Sequence, residues 1–461
     1  MKTWHLGILI IILLVTSCKR PKNLQEIAIE KQREIVEKDK VYFGNVLGWS
    51  NPTPSSDFLK SNRESALENA AIWLSNDLID TVDFLDYVLP HQVNNAVNEN
   101  WRRLVHRKIP KQFLPTGNVS RRTFIEFCNK VNTILKKDNI FGRPDGDESF
   151  YRYTDYLFKK WSCVAMSDYA NYTFRALGIP VATDFVQVWG NLNSAGHTWN
   201  RLLMKDTSYA FMGAESNIGD YAPMLIAKNN NGGPATLKVP PKVYRHARYS
   251  KDSFALLGET VVDVTREYVD VWDVSIEKPE INNTGDIYLA TVNSGRYVIN
   301  SIGQHHGNKI TFKDMAIGLV YFPVSLDRAR PSPVGYPVVC SDKGNETKKP
   351  DKYNLITIKV NHLNSLASAQ SMFINERGYG ALDSVDFHDM DVICPKPVVG
   401  ELYELYYWDF GWKKHGSVNC SKNGLIFKNV PDNGIYIVKS ETSEMKECRP
   451  FSYREGKVNW F

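Results

Sequence analysis

Two residues in the middle of the chain have the types and the setting for nucleophilic chemistry. Cys163 is followed by Ala165, Met166, Tyr169, Ala170, Phe174 and Leu177, which recur at the three- and four-residue steps of one helix face. The pattern stops at Gly178 and Pro180, so Cys163 is expected at or near the N-terminus of a helix. There the unbonded amides and the positive end of the helix dipole favour thiolate over thiol, and thiolate is the form that attacks an acyl carbon. The same amides could line an oxyanion hole. Further on, Gly196-His197-Thr198-Trp199-Asn200 opens a strand. A histidine running beside the cysteine's helix can take the thiol proton and later return it to a leaving group. Its other ring nitrogen needs an acceptor, and Asp206 and Glu215 are the acids at hand. HTWNRLLM leads away from His197, Lys205-Asp206-Thr207-Ser208 reads as the turn, and YAFMGAE returns. That register brings Glu215 back level with His197 and leaves Asp206 at the far tip, so the expected site is Cys163, His197 and Glu215.

The elements that must hold these residues follow from the surrounding pattern. From Glu26 to about Lys108 the chain reads as helical, as in Arg63 to Leu78, where Leu67, Ala70, Ala71, Leu74 and Leu78 repeat at helical spacing. Pro90 breaks that run after Leu89, with His91 and Glu99 expected to be solvated or capping at a corner between helices. Another helix is expected from about Val119 to Lys137. From Ala182 the character changes to short aromatic and β-branched strands. Helices first and strands second describe an α+β domain.

Cys163, then Arg175-Ala176-Leu177-Gly178-Ile179-Pro180, then His197 with Trp199 resemble the transglutaminase-like superfamily of papain-fold cysteine enzymes over about sixty residues. The resemblance implies that Cys163 is the nucleophile, His197 the base and an acid on the following strand the orienting group. That acid is usually aspartate, where this chain offers Glu215. Trp161-Ser162 precede the cysteine where the family commonly has glycine. Arg175 is expected to pair with a buried carboxylate or carbonyl, and Trp189 and Trp199 to pack.

The N-terminus, MKTWHLGILIIILLVTSC, combines Lys2, an apolar run too short to span a bilayer comfortably and small residues before Cys18. It resembles a bacterial lipoprotein signal, residues 1–18 with its lipobox Cys18, in which the peptide is cleaved before the cysteine and the acylated Cys18 becomes the first mature residue. The expected location is therefore the cell envelope, lipid-anchored in the outer membrane and facing the periplasm. A net charge of +5 over 461 residues, unclustered, excludes a nucleic-acid-binding face. The seven cysteines (18, 128, 163, 340, 394, 420 and 448) form no C-x-x-C pair, and no metal or cofactor is expected. Disulfides among the last four and buried thiols are equally compatible with the spacing. Asp386, His388, Asp389 and Asp391 lack a calcium-loop pattern and read as a solvated loop, and His305-His306 read as an exposed hairpin turn.

The Lys228-to-Pro234 stretch, KNNNGGP, marks a loop near a domain boundary. Beyond Val261 the chain reads as strands, and an offset of 115 residues superposes Tyr288 on Tyr403, Tyr297 on Trp412, Asn308 on Asn423, Phe312 on Phe427, Lys313 on Lys428 and Tyr321 on Tyr436. Two β-sandwich units related by duplication are expected. The predicted layout is a helical region 19–115 packed on a transglutaminase-like domain 116–245, then antiparallel β-sandwich units at 246–395 and 396–461. The predicted function is cysteine acyl transfer on peptide or side-chain amides of a protein substrate, hydrolytic rather than cross-linking. The rival from another class is a scaffold lipoprotein that keeps the fold without turnover and grips glycan or peptide through β-domain aromatics such as Tyr406, Tyr407, Trp408 and Trp412.

Overall fold

The computed structural model describes residues 22–45, 53–93, 99–137, 140–141, 153, 160–221, 223–228, 234–236, 238–279, 285–364, 395–440 and 449–461. Cys18, the 386–391 acidic cluster, Cys394 and Cys448 lie outside the described residues. The chain is α+β, with helices early and antiparallel sheets after them.

Five main helices come first: α1 (Leu24–Asn45), α2 (Ser56–Ser75), α3 (Trp101–Lys108), α4 (Arg121–Lys136) and α5 (Cys163–Ala176). Serines cap three of them. Ser55, Ser120 and Ser162 each sit in extended backbone and accept an amide from the first turn. α5 ends in a left-handed cap, with Gly178 N donating to Arg175 O and Ile179 N to Phe174 O at 3.0 Å. Gly178 has φ +76, and a Cβ there would stand 2.4 Å from the backbone of Asn69 and Ala70, so only glycine permits both the cap and the approach of α2. Trp73 and Asn69 of α2 then bond Leu177 O and Ala176 O, and Arg102 of α3 bonds Arg175 O at 2.5 Å. The Arg175, Ala176 and Leu177 carbonyls are thereby satisfied from the earlier helices, and those of Thr173 and Phe174 by the cap's own amides.

The strands after α5 are β1 (Val181–Val188), β2 (Ala195–Met204), β3 (Thr207–Phe211), β4 (Tyr244–His246), β5 (Phe254–Leu256) and β6 (Glu259–Asp263). They form one antiparallel sheet in the order β3-β2-β1-β4-β6-β5. A single apolar core runs from Ala28 through α5 to Val264, so the helical region and this sheet are one body. The domain therefore does not stop at 245, because β4 seats β6 and β5 on the same sheet.

Next come β7 (Val271–Glu277), β8 (Ile287–Asn293), β9 (Arg296–Ile302), β10 (Gln304–His306), β11 (Lys309–Ala316), β12 (Leu319–Asp327), β13 (Arg330–Pro333), β14 (Val338–Ser341) and β15 (Gly344–Thr347). They pair as β7-β11-β10 and β9-β8-β12-β14-β15, with β13 on β12, and close over Val274, Leu289, Phe312 and Tyr321. His305 and His306 are exposed, on strand β10 rather than in the turn after it.

The last group is β16 (Asp351–Val360), β17 (Leu402–Trp408), β18 (Trp412–Asn419), β19 (Leu425–Asp432), β20 (Tyr436–Ser440), β21 (Phe451–Arg454) and β22 (Lys457–Trp460). β16 pairs β19, and the other sheet runs β18-β17-β20-β21-β22, the same order as in the preceding unit. β16 belongs to the core of this unit, so the division falls near 350 rather than 395. The correspondence between the two units extends to their hydrogen bonds. Tyr321 Oη donates to Ala316 O at 2.8 Å and Tyr436 Oη to Pro431 O at 2.6 Å, each to the carbonyl five residues upstream. The left-handed residues Asp314 and Gly318 likewise recur as Asn429 and Asn433. Phe322 and Trp408 join the two units in a shared apolar contact, ring centroids 4.9 Å apart.

Candidate functional site

Cys163 is the first residue of α5. Ser162 caps the helix, its hydroxyl accepting the Ala165 amide at 3.4 Å and its carbonyl the Met166 amide at 3.1 Å. The Cys163 side chain is half-buried against the main core, and Val164 beside it is exposed. α5 packs on β1 and β2. A short turn at 177–180 sends β1 back along α5, and β2 reverses again, so β2 runs in the direction of the helix. Cys163 and His197, each at the start of its element, therefore lie toward the same end of the domain. Asn200 of β2 ties the two elements together, donating to Ser167 O at 2.9 Å and to Asn171 Oδ1 at 3.2 Å.

His197 is the third residue of β2, paired with Val186. Gly196 precedes it because a Cβ there would meet Val186 O at 2.0 Å. Strand alternation puts His197 with Trp199 on the face opposite Asn200, and their rings stack with centroids 5.9 Å apart. Trp199 is fully buried and its indole donates to Tyr268 Oη at 2.9 Å, whose hydroxyl donates to Asp184. Asp184 in turn holds Arg245 through two bonds of 2.7 and 2.8 Å. The Trp199 side of the histidine is thus fixed by a buried polar chain.

On its other side His197 Nε2 is hydrogen-bonded to the hydroxyl of Tyr221. Burial, with Lys238 acting in the same direction, pulls the imidazole down to about 4, so it is neutral at neutral pH. Neutral imidazole is the form that accepts a proton.

The hairpin has its turn where the sequence puts it, with Asp206 at φ +64 at the far tip. Glu215, however, does not meet His197: among the described residues no hydrogen bond joins them. β3 ends at Phe211, and the chain enters a turn in which Glu215 N and Ser216 N both bond Met212 O, with Ala214 at φ +62. α4 pins that turn through Asn132 Oδ1 to Ala214 N at 2.7 Å and Asn129 Oδ1 to Ile218 N at 2.8 Å. The Glu215 side chain is left exposed. Desolvation raises its pKa, and Lys136 opposes the rise. Tyr221, ten residues after Phe211 in an irregular stretch, carried no sequence signal that would have found it.

Arg175 bonds a carbonyl as expected, its Nε donating to Val181 O at 3.2 Å. His91 is buried, with Nε2 3.7 Å from Asp39, rather than solvated, and Glu99 accepts the Tyr153 amide at 2.8 Å. Cys128, Cys340 and Cys420 are buried thiols outside any disulfide. Among the described residues no cluster of metal-ligating side chains occurs, and no helix is long and apolar enough to cross a membrane.

No protein-family model matches the chain, and no curated protein matches it. Among solved structures it is similar to the crystal structure of red sea bream transglutaminase, with a TM-score of 0.20 and 10% sequence identity over 68% of this chain and 66% of that one. The chain thus spans just under two thirds of the length of that weak structural neighbour.

Proposed function

We propose that the chain is an envelope-anchored, transglutaminase-like cysteine enzyme that hydrolyses peptide or side-chain amides. What supports this reading is Cys163 as the first residue of α5, half-exposed, with His197 near the start of β2, which runs alongside; the imidazole lies on the face of β2 opposite Asn200, so it must turn toward α5 for the proton transfer. Cys163 Sγ attacks the amide carbon as its proton passes to His197. The C–N bond breaks, the proton leaves with the amine, and water then cleaves the thioester. First-turn amides of α5 stabilise the oxyanion. Tyr221, on Nε2, is the positioning residue of the folded site, and Glu215 is the acid that the sequence spacing offers for the same role. Cys18 carries the lipid.

The test is alkylation of Cys163 by iodoacetamide near neutral pH, followed by mass spectrometry. Cys163 should react far faster than Cys128, Cys340 and Cys420, and His197→Ala should slow it by about tenfold or more while folding is kept. Cys163→Ala should remove amide turnover, a loss of several powers of ten. Equal turnover by wild type and Cys163→Ala would leave the second reading, a non-catalytic scaffold. That reading draws on His197 Nε2 being occupied and on exposed rings at the cleft between the two β units. Tyr353 is 99% exposed there, and Phe410 lies against Tyr336 at 4.7 Å. Trp408 is not part of that surface, being buried between the units.

A further inference from the structure

Along the stripe of α5 that carries Val164, Asp168 and Arg175 lies a cavity of about 210 Å³, walled also by Tyr87, Tyr249 and Thr260. Neither Cys163 nor His197 lines it. Its charged walls are mostly matched: Arg248 pairs with Asp39 at 3.1 Å, Asp86 with Lys31 at 2.9 Å, and His246 stands 3.6 Å from Glu259. Arg175 is the exception. It is only 7% exposed, and among the described residues its side chain makes one hydrogen bond, from Nε to Val181 O. Nη1 and Nη2 make no hydrogen bond to those residues, and the guanidinium lies over the Tyr87 ring, 6.0 Å from its centroid. Burial pulls this guanidinium down to about 10, against weaker upward effects of Tyr249, Tyr87 and Asp168.

A desolvated guanidinium whose two amino groups open on a cavity is the fork that binds a planar oxyanion through two parallel hydrogen bonds. Asp86, Asp168 and Glu259 line the same cavity and repel a second negative charge, so a monoanion is favoured over a phosphate dianion. Tyr87 and Tyr249 add ring surface for a small apolar group. We propose that this cavity binds a small monocarboxylate, either a free acid or the C-terminal residue of a peptide, with Arg175 holding the carboxylate. Val164, 41% exposed, lines the cavity and follows Cys163 directly, so the occupant sits on the helix of the nucleophile. The assignment does not depend on whether Cys163 reacts.

The test is isothermal titration of the full chain with propionate, the dipeptide Ala-Ala, the amides of both, and inorganic phosphate. One or both acids should bind with Kd of about 1 mM or tighter, and their amides should not. Which acid binds more tightly separates the free acid from the peptide terminus. Arg175→Gln should weaken binding by about tenfold or more, the scale of losing a charge-assisted pair. Because that change also removes the bond to Val181, Thr260→Trp is the second variant: it fills the cavity from the wall, leaves Arg175 in place and should abolish binding. Thermal melting checks that both variants fold. No binding of either acid by wild type, equal affinity for acid and amide, tighter binding of phosphate, or binding undiminished in Thr260→Trp would each overturn the proposal.

Discussion

His197 sits between two aromatic rings, and what each does to it differs. Trp199, held by Tyr268, fixes the plane of the imidazole, whereas Tyr221 occupies Nε2 and leaves Nδ1 as the nitrogen that can serve the thiol. Tyr221→Phe should therefore slow alkylation of Cys163 by about tenfold, while Glu215→Gln should change it by less than about threefold, the order expected when only the group touching the base orients it. The reverse ranking, measured by the same alkylation assay, would return the orienting role to Glu215. Protonation gives a second reading of the same residue. His197 and His91 are both pulled to about 4 by burial, so in the folded chain they stay neutral while the unfolded chain takes up protons below about 6.5. Stability should be complete above about pH 6.5 and fall as pH drops toward 4, by at most about 3 kcal/mol for each histidine. Melting temperatures across that range should show the fall, and His197→Gln should flatten it; an unchanged slope would mean that His197 is not buried neutral.

At the level of elements, the stretch from Cys163 to Met204 was legible in the sequence because each local signal agrees with the packing. Ser162 caps, the apolar stripe faces the core, Gly178 closes the helix, and the strand after Pro180 begins where branched residues begin. What was not legible lies where the chain leaves a strand. The register of the hairpin gave Glu215 its level but not its direction, because the turn at 212–216 is set by Asn129 and Asn132 of α4, far earlier in the chain. Likewise β5 and β6 read as the start of the next unit, since short strands carry no mark of which sheet will take them. Gly178 tests the element that matters most. Gly178→Ala places a methyl into the α2 backbone at a left-handed φ and should cost about 3 kcal/mol or more in urea unfolding. A loss under about 1 kcal/mol would show that α2 and the end of α5 are not in that contact.

Across the whole molecule, the loop that delivers β2 to its position is held by the β units as well as by Val239 of its own domain. Asn293 of β8 donates to Leu192 O and Ser194 O at 3.0 and 2.8 Å, and Asn193 Oδ1 accepts the Ser294 amide at 3.0 Å. The third attachment is Arg449, 1% exposed and just ahead of β21. Its Nη1 donates to Asn193 Oδ1 and to Val292 O at 3.0 and 2.7 Å, Nη2 to Gly190 O, and Nε to Phe461 O at 2.9 Å. One guanidinium thus joins the first domain, the first β unit and the second, which accounts for a buried cation with no carboxylate among those partners: main-chain oxygens share its charge. Arg449→Met keeps the length and apolar stem but strips the donors from several buried carbonyls, a loss of about 3 kcal/mol or more. In a calorimetric scan the wild type should melt with its three bodies coupled. The variant should show the α+β domain and the β units separating into distinct transitions, and alkylation of Cys163 should change with them, because the 190–194 loop feeds directly into Gly196 and His197. A single transition at the wild-type temperature would mean that the apolar contacts alone couple the bodies and that Arg449 only fills space between them.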